Sequence, residues 1–133
     1  MEKSWRLPRS WRTSKRRILV GPWRGELGFE VLYWIPFVRW LRHESKIDPG
    51  RWCAYSRGGA AHWYQMPSTL EILNFATAEI LRCEMFRDVR AHRSIKQVDL
   101  GAFDKHLIAR AQQEHPVLAD AHILHPSLMF RAL

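Results

Sequence analysis

ILVGPWRGELGFEVLYWIPFVRWL, residues 18–41, decides how this chain reads. A β-branched, apolar run, Ile18-Leu19-Val20, halts at Gly21-Pro22. A turn bearing Gly25 and Gly28 follows, and then a long apolar segment of helical character. Strand, glycine turn and helix in this order begin the ligand-binding units of α/β domains. The turn lets a ligand approach the backbone, and the helix start offers unpaired N–H groups and a partial positive charge to an anion. The spacing is neither GxGxxG nor a P-loop with its Lys-Ser/Thr, so a nicotinamide or ATP site of those kinds is not indicated.

Working outward, Arg17–Val20 predicts a first strand. Its apolar run is continuous rather than alternating, as in a central parallel strand covered on both faces. Residues 26–43 predict a helix. Leu27, Val31, Trp34, Val38 and Leu41 repeat at helical spacing, and Phe29, Leu32, Ile35 and Phe37 make it apolar almost all round, which predicts burial. Pro36 should bend it. Asp48-Pro49-Gly50 marks a turn. Trp52–Ser56 reads as a second strand that runs into Arg57-Gly58-Gly59. Strands joined by such a crossover are parallel, so the two glycine loops belong to one edge of the sheet.

Farther on, residues 60–68 read as loop or a short helical turn. Ser68 or Thr69 is placed to cap a short helix through Leu70, Ile72 and Leu73. Thr77 to Arg82 suggests another helical piece, and Ile95 to Val98 a minor strand. Ala102–Glu114 predicts a helix with Phe103, Leu107, Ile108 and Ala111 on one face, stopped at His115-Pro116. Ile123-Leu124 is a further strand candidate before His125-Pro126, and residues 127–133 read as the start of another element. The expected fold is α/β: a Rossmann-like three-layer sandwich with a small, mostly parallel sheet, a single domain over residues 17–133 that is expected to be incomplete at its C-terminal end.

The chain has 133 residues and a formal charge of +8, enough length for one domain. The charge is unevenly placed. Residues 1–17 carry seven Lys/Arg against one Glu, whereas the other 116 carry fourteen against twelve. A nucleic-acid-binding domain carries its basic surface on the folded body, so this distribution argues against nucleic acid as the partner. Residues 1–16 are expected to form a solvated, disordered basic leader. Trp5 and Trp11 among its cations suit contact with an anionic membrane surface. The leader lacks the apolar core of a secretory signal, and no charge-free apolar run reaches membrane-spanning length. Cys53 and Cys83 form no metal or redox motif and read as core residues. A cytoplasmic setting, peripheral to the inner face of a membrane, fits these features.

The segment GPWRGELGFEVLYWIPFVRWL resembles the N-terminal signature of bacterial and phage glycosyltransferase-like proteins of the two-domain GT-B fold. Gly25, Glu26, Gly28, Phe29, Glu30, Trp34, Pro36 and Phe37 carry the match. Ser56-Arg57-Gly58-Gly59 with Trp63-Tyr64, and His125-Pro126-Ser127-Leu128-Met129-Phe130, are similar in the same order. The resemblance implies the acceptor-side half of a GT-B fold. Its ligands would be a nucleotide-sugar donor and a glycan or other hydroxyl acceptor, with no cofactor. The second Rossmann-like domain, which holds most donor contacts in that family, has no counterpart in these residues.

Site candidates follow from both readings. Glu26 and Glu30, one helical turn apart, are catalytic candidates, either one serving as the base that deprotonates an acceptor hydroxyl. The same pair also suits plain charge complementarity with a helix N-terminus. Gly25, Gly28, Gly58 and Gly59 would shape the cleft. Arg24 and Arg57 would hold phosphate in the bidentate manner of guanidinium groups. His125, at a strand end, is a ligand contact on the resemblance, and Trp23 and Trp63 are candidates to stack on a sugar ring. His122 and His125 lie three apart, but on a strand they point to opposite faces, so no metal site is expected. The alternative function is a non-catalytic module that binds an anionic glycan, lipid headgroup or nucleic acid through the basic leader.

Overall fold

A computed structural model describes residues 6–24, 27–56, 61–71 and 99–132. Four parallel strands form one sheet: β1 (Ile18–Val20), β2 (Trp52–Ser56), β3 (Ser68–Glu71) and β4 (His122–Leu124). Their spatial order is β3-β2-β1-β4. Leu19 pairs with Cys53 on one side and with Ile123 on the other. Gly21 N–H donates to Leu124 O at 2.9 Å and His122 N–H to Arg17 O at 2.9 Å, extending the β1–β4 ladder at both ends.

The central strands β1 and β2 are buried on both faces, which is why the apolar run at 18–20 does not alternate. Ile18, Val20, Trp52, Ala54 and Leu124 face one core, shared with Trp34, Phe37, Val38 and Leu41 of the long helix. Leu19, Cys53 and Tyr55 face the other, against Phe103, Leu107, Ile108 and Ala111 of a helix at Ala102–Glu114. The result is helix, sheet, helix: the three-layer α/β arrangement expected, compatible with a Rossmann-like fold. Burial pushes the Cys53 thiol up to about 11, so it is an inert core residue. Cys83 lies outside the described residues.

The helices are α1 (Arg9–Thr13), α2 over residues 27–45, α3 (Ala102–Glu114) and α4 (Pro126–Ala132). Within α2, Leu27–Phe29 leads into a π turn at Glu30–Trp34 and then Ile35–Ser45. Pro36 has no N–H to give the preceding turn, and the Ile35 N–H instead reaches Glu30 O, one residue farther back than in an α-helix. That extra residue slips the inward stripe. Glu30 is buried where Val31 was expected, and Phe29, Val31, Leu32 and Tyr33 are exposed, Leu32 at 68%. The helix is therefore not buried all round. No helix among the described residues is long and apolar enough to cross a membrane.

A further expectation changes at the outer edge of the sheet. Ser68–Glu71 is a strand rather than the cap of a short helix. Its register, Cys53 with Ser68 through Ser56 with Glu71, satisfies the outer edge of β2, and tertiary pairing overrides a local capping signal. The expected elements at 77–82 and 95–98 lie outside the described residues.

The leader, over its described part, is folded against the body rather than disordered. Leu7 is 3% exposed and joins the α2-side core, and Trp11 packs on it. Arg51, just before β2, donates to the carbonyls of Trp11 at 2.5 Å and Arg16 at 2.7 Å, and to Ser14 Oγ at 3.2 Å. His122 Nε2 lies 2.9 Å from Ser14 Oγ, and its ring stacks on Trp11 with centroids 4.9 Å apart. Leader docking closes the amino ends of the strands.

Burial, followed by the Arg16 and Arg51 cations, holds the His122 pKa below its usual value, against a smaller opposing pull from Asp120. A histidine with a depressed folded pKa binds its proton more readily in the unfolded chain. Its contribution is thus complete above the unfolded pKa of about 6.5 and is lost as pH falls through it. The thermal midpoint is expected to drop between about pH 7.5 and about pH 5, and His122→Gln is expected to flatten that slope. An unchanged slope in the variant contradicts the assignment.

Candidate functional site

The strand order places β1 between chains that leave in opposite directions: β2 and β3 to one side, β4 to the other. Open α/β sheets hold ligands outside the carboxyl ends of the strands at such a switch point. Here that edge is built by residues 21–24, which follow β1, and by His125, which follows β4.

Gly21 has φ +114°, and a Cβ there would lie 2.7 Å from Tyr55 O of β2. Only glycine fits, because the first turn runs hard against the neighbouring strand. The Gly21-Pro22 peptide is cis. Gly28 differs: a Cβ would meet nothing within 4 Å. Gly25 lies outside the described residues, as do Glu26, Arg57, Gly58 and Gly59, so the second glycine loop is not part of the described site.

Arg24 turns inward. Its Nε donates to Asp104 Oδ1, and its guanidinium sits 4.9 Å above the Phe103 ring centroid. Asp104, in the first turn of α3, has no solvent exposure. Its second oxygen meets His125 Nε2 at 2.6 Å. Ser127 N–H donates to His125 Nδ1 at 3.0 Å, and Ser127 Oγ is 2.9 Å from the same nitrogen. Nδ1 is therefore the hydrogen-free nitrogen, and Nε2 donates to Asp104. His125 also caps α4 in this way, with Pro126 at the first helical position. One buried carboxylate thus clamps the turn after β1 to the residue after β4. Removing a carboxylate from water is costly, and a guanidinium plus an imidazole N–H offsets that cost.

Glu30 is the second buried carboxylate. Tyr64 Oη donates to its Oε2 at 2.5 Å. Tyr64 stands in the 3₁₀ turn Ala61–Tyr64 after β2, and its carbonyl, with that of Gln65, accepts from Arg42 Nη1 at 3.1 and 3.3 Å. Helix α2 is therefore tied to the segment after β2 at two levels.

The site residues divide accordingly. Arg24 and His125, expected as ligand contacts, do come together, but through Asp104 and in the interior. Glu30 faces the core, not solvent. Trp23, expected to stack on a sugar, instead packs between Trp34 and Phe130, with centroids at 6.0 and 6.4 Å. Trp63 is 39% exposed and meets His62 edge-on. His122 and His125 engage different partners at opposite ends of β4. Asp104 and Tyr64 were missed. Asp104 had a sequence signal: four residues before Ile108 and seven before Ala111, it is a charge on the apolar face of α3. Tyr64 had none.

No known protein family, curated protein or solved structure matches this chain.

Gly21→Ala tests the close approach. It is expected to cost about 2 kcal/mol or more in chemical denaturation, from overpacking against Tyr55 O and from strain at positive φ. A loss within measurement error contradicts it.

Proposed function

We propose that the chain is a sugar-handling unit of the GT-B glycosyltransferase type, in which the acceptor-side domain holds its ligand outside the carboxyl ends of β1 and β4. The reaction would transfer a sugar from a nucleotide-sugar donor to a hydroxyl acceptor. The observation that carries this reading is the strand order β3-β2-β1-β4, all parallel, with a glycine that contacts backbone immediately after β1. The resemblance in residues 21–41 supplies the substrate class.

Glu30 is committed to Tyr64 and the core, so of the two carboxylates in the signature the base role falls to Glu26. Arg24 is the network member with most solvent access, its side chain 9% exposed against 3% for His125 and none for Asp104. Asp104 holds the Arg24 guanidinium at the edge where a diphosphate would arrive.

The second reading is a half-unit that binds the same ligand without turning it over. It is favoured by one observation: both described acid–base groups of the signature pieces, Glu30 and His125, are buried with hydrogen-bond partners.

Titration of the full chain with uridine, guanosine and cytidine sugar nucleotides, followed by two-dimensional NMR, tests the site. Shifts centred on residues 21–24 and 125–128 are expected. Shifts confined to the amino ends of the strands, or none with any nucleotide, overturn the proposal. Where turnover is detected, Glu26→Gln is expected to cut kcat by about 10²–10⁴-fold at unchanged stability. Glu30→Gln is expected to lower stability first. Binding without turnover selects the second reading.

A further inference from the structure

A second recess lies at the opposite, amino edge of the sheet, between the docked leader and the last turn of α2. It encloses about 260 Å³. Leu7, Leu41 and Trp40 form its apolar part. Leu7 and Leu41 are buried, and Trp40 packs on the same core. Three cations stand around it, Arg6, Arg12 and Lys46, against one carboxylate, Glu44.

Cations beside a helix C-terminus have an ordinary explanation, since they complement the partial negative charge of the last carbonyls. Lys46, the C-cap of α2 with φ 56°, fits that account. Arg6 and Arg12 do not, because they belong to the leader, a separate segment brought here by the burial of Leu7 and the Arg51 hydrogen bonds. Among the described residues, none of the three cations makes an ion pair, with Glu44 or with any other acid. Like charges gathered over an apolar floor, with one opposing charge among the described lining residues, suit an anion with an apolar body. The volume falls just under the range of drug-sized ligand sites. It suits one phosphate headgroup and the first carbons attached to it.

We propose that this recess binds the phosphate group of an apolar phosphoester, with Arg6, Arg12 and Lys46 on the phosphate oxygens and Trp40 and Leu41 against the adjoining carbons. This goes beyond the carboxyl-edge reading and does not depend on it, for the two sites occupy opposite ends of the strands. The phosphate can belong to a bilayer lipid or to a soluble ester. The other leader cations, Arg9, Lys15 and Arg16, are exposed and would draw the recess toward an anionic bilayer.

The test uses the full chain and two kinds of probe. Inorganic phosphate and glycerol 3-phosphate are titrated by NMR, reading the Trp40 indole N–H and the backbone of residues 6–12 and 44–46. Vesicles of phosphatidylcholine, with and without phosphatidic acid, are tested by co-sedimentation. The double variant Arg12→Gln/Lys46→Gln is compared with Arg9→Gln/Lys15→Gln, which removes equal charge outside the recess. All four side chains are exposed, and matching thermal midpoints verify that both variants fold. The recess variant is expected to lose about tenfold or more in affinity, as removal of charge-assisted hydrogen bonds does, while the control changes by about twofold or less. Recess-dependent binding to phosphatidic acid vesicles alone assigns the phosphate to a lipid, and recess-dependent binding of glycerol 3-phosphate identifies a soluble ester. Equal losses in the two variants overturn the proposal, since binding would then follow net charge. Absence of binding to every probe also overturns it.

Discussion

A carboxylate sealed from water organises the carboxyl edge of this protein. Asp104 has no exposed surface, and a charge there persists only if its neighbours replace the hydration it lost. Arg24 and His125 do so from two different strand ends. Because each arrives by its own chain segment, the requirement of one side chain in α3 fixes three positions: the turn after β1, the start of α4 and the first turn of α3. The hydrogen bond from Ser127 N–H to His125 Nδ1 sets the imidazole tautomer, so the clamp has a defined polarity from α4 to Arg24. The close approach of Gly21 to Tyr55 O completes the edge from the other side.

This arrangement separates holding from doing. Two ionisable groups that the sequence offered for the site, Glu30 as a base and His125 as a ligand contact, are buried and hydrogen-bonded within the fold. Glu30 ties α2 to Tyr64, and His125 caps a helix and braces a carboxylate. The ligand-facing chemistry proposed for the edge therefore rests on groups that these struts position. At the other end of the strands, the leader is held by Arg51 and by the stack of Trp11 on His122. The two ends are built from different materials: an internal ion pair at the carboxyl edge, and cations set around an apolar recess at the amino edge.

Much of the sheet was legible in the sequence. Ile18–Val20 and Trp52–Ser56 were apolar runs bounded by Gly and Pro, and α3 carried both a clean apolar stripe and a Pro stop. What escaped reading depended on distant partners. Ser68–Glu71 looks like a cap plus helix until β2 offers it an edge. The leader looks like a solvated tail because its charge dominates, yet among its described residues one leucine and one indole ring, Leu7 and Trp11, lie at the contact that docks it. The inward turn of Glu30 came from a π turn ahead of Pro36. Periodicity counts residues per turn, so a single extra residue moves the stripe by one position, and the sequence carried the proline but not the slip. Arg24 and His125 were singled out for contact with a ligand. The residue that joins them, Asp104, is 80 positions from one and 21 from the other, and no local pattern links the three.

The most direct measurement of the clamp is a double-mutant cycle in chemical denaturation with Arg24→Met, Asp104→Leu and the pair combined. A buried charge stripped of its partner destabilises more than replacement of both by apolar groups. The combined variant is therefore predicted to be more stable than the sum of the single losses implies, by about 2 kcal/mol or more. Strict additivity would mean that Arg24 and Asp104 merely lie side by side, and that the carboxyl edge is held together by something else.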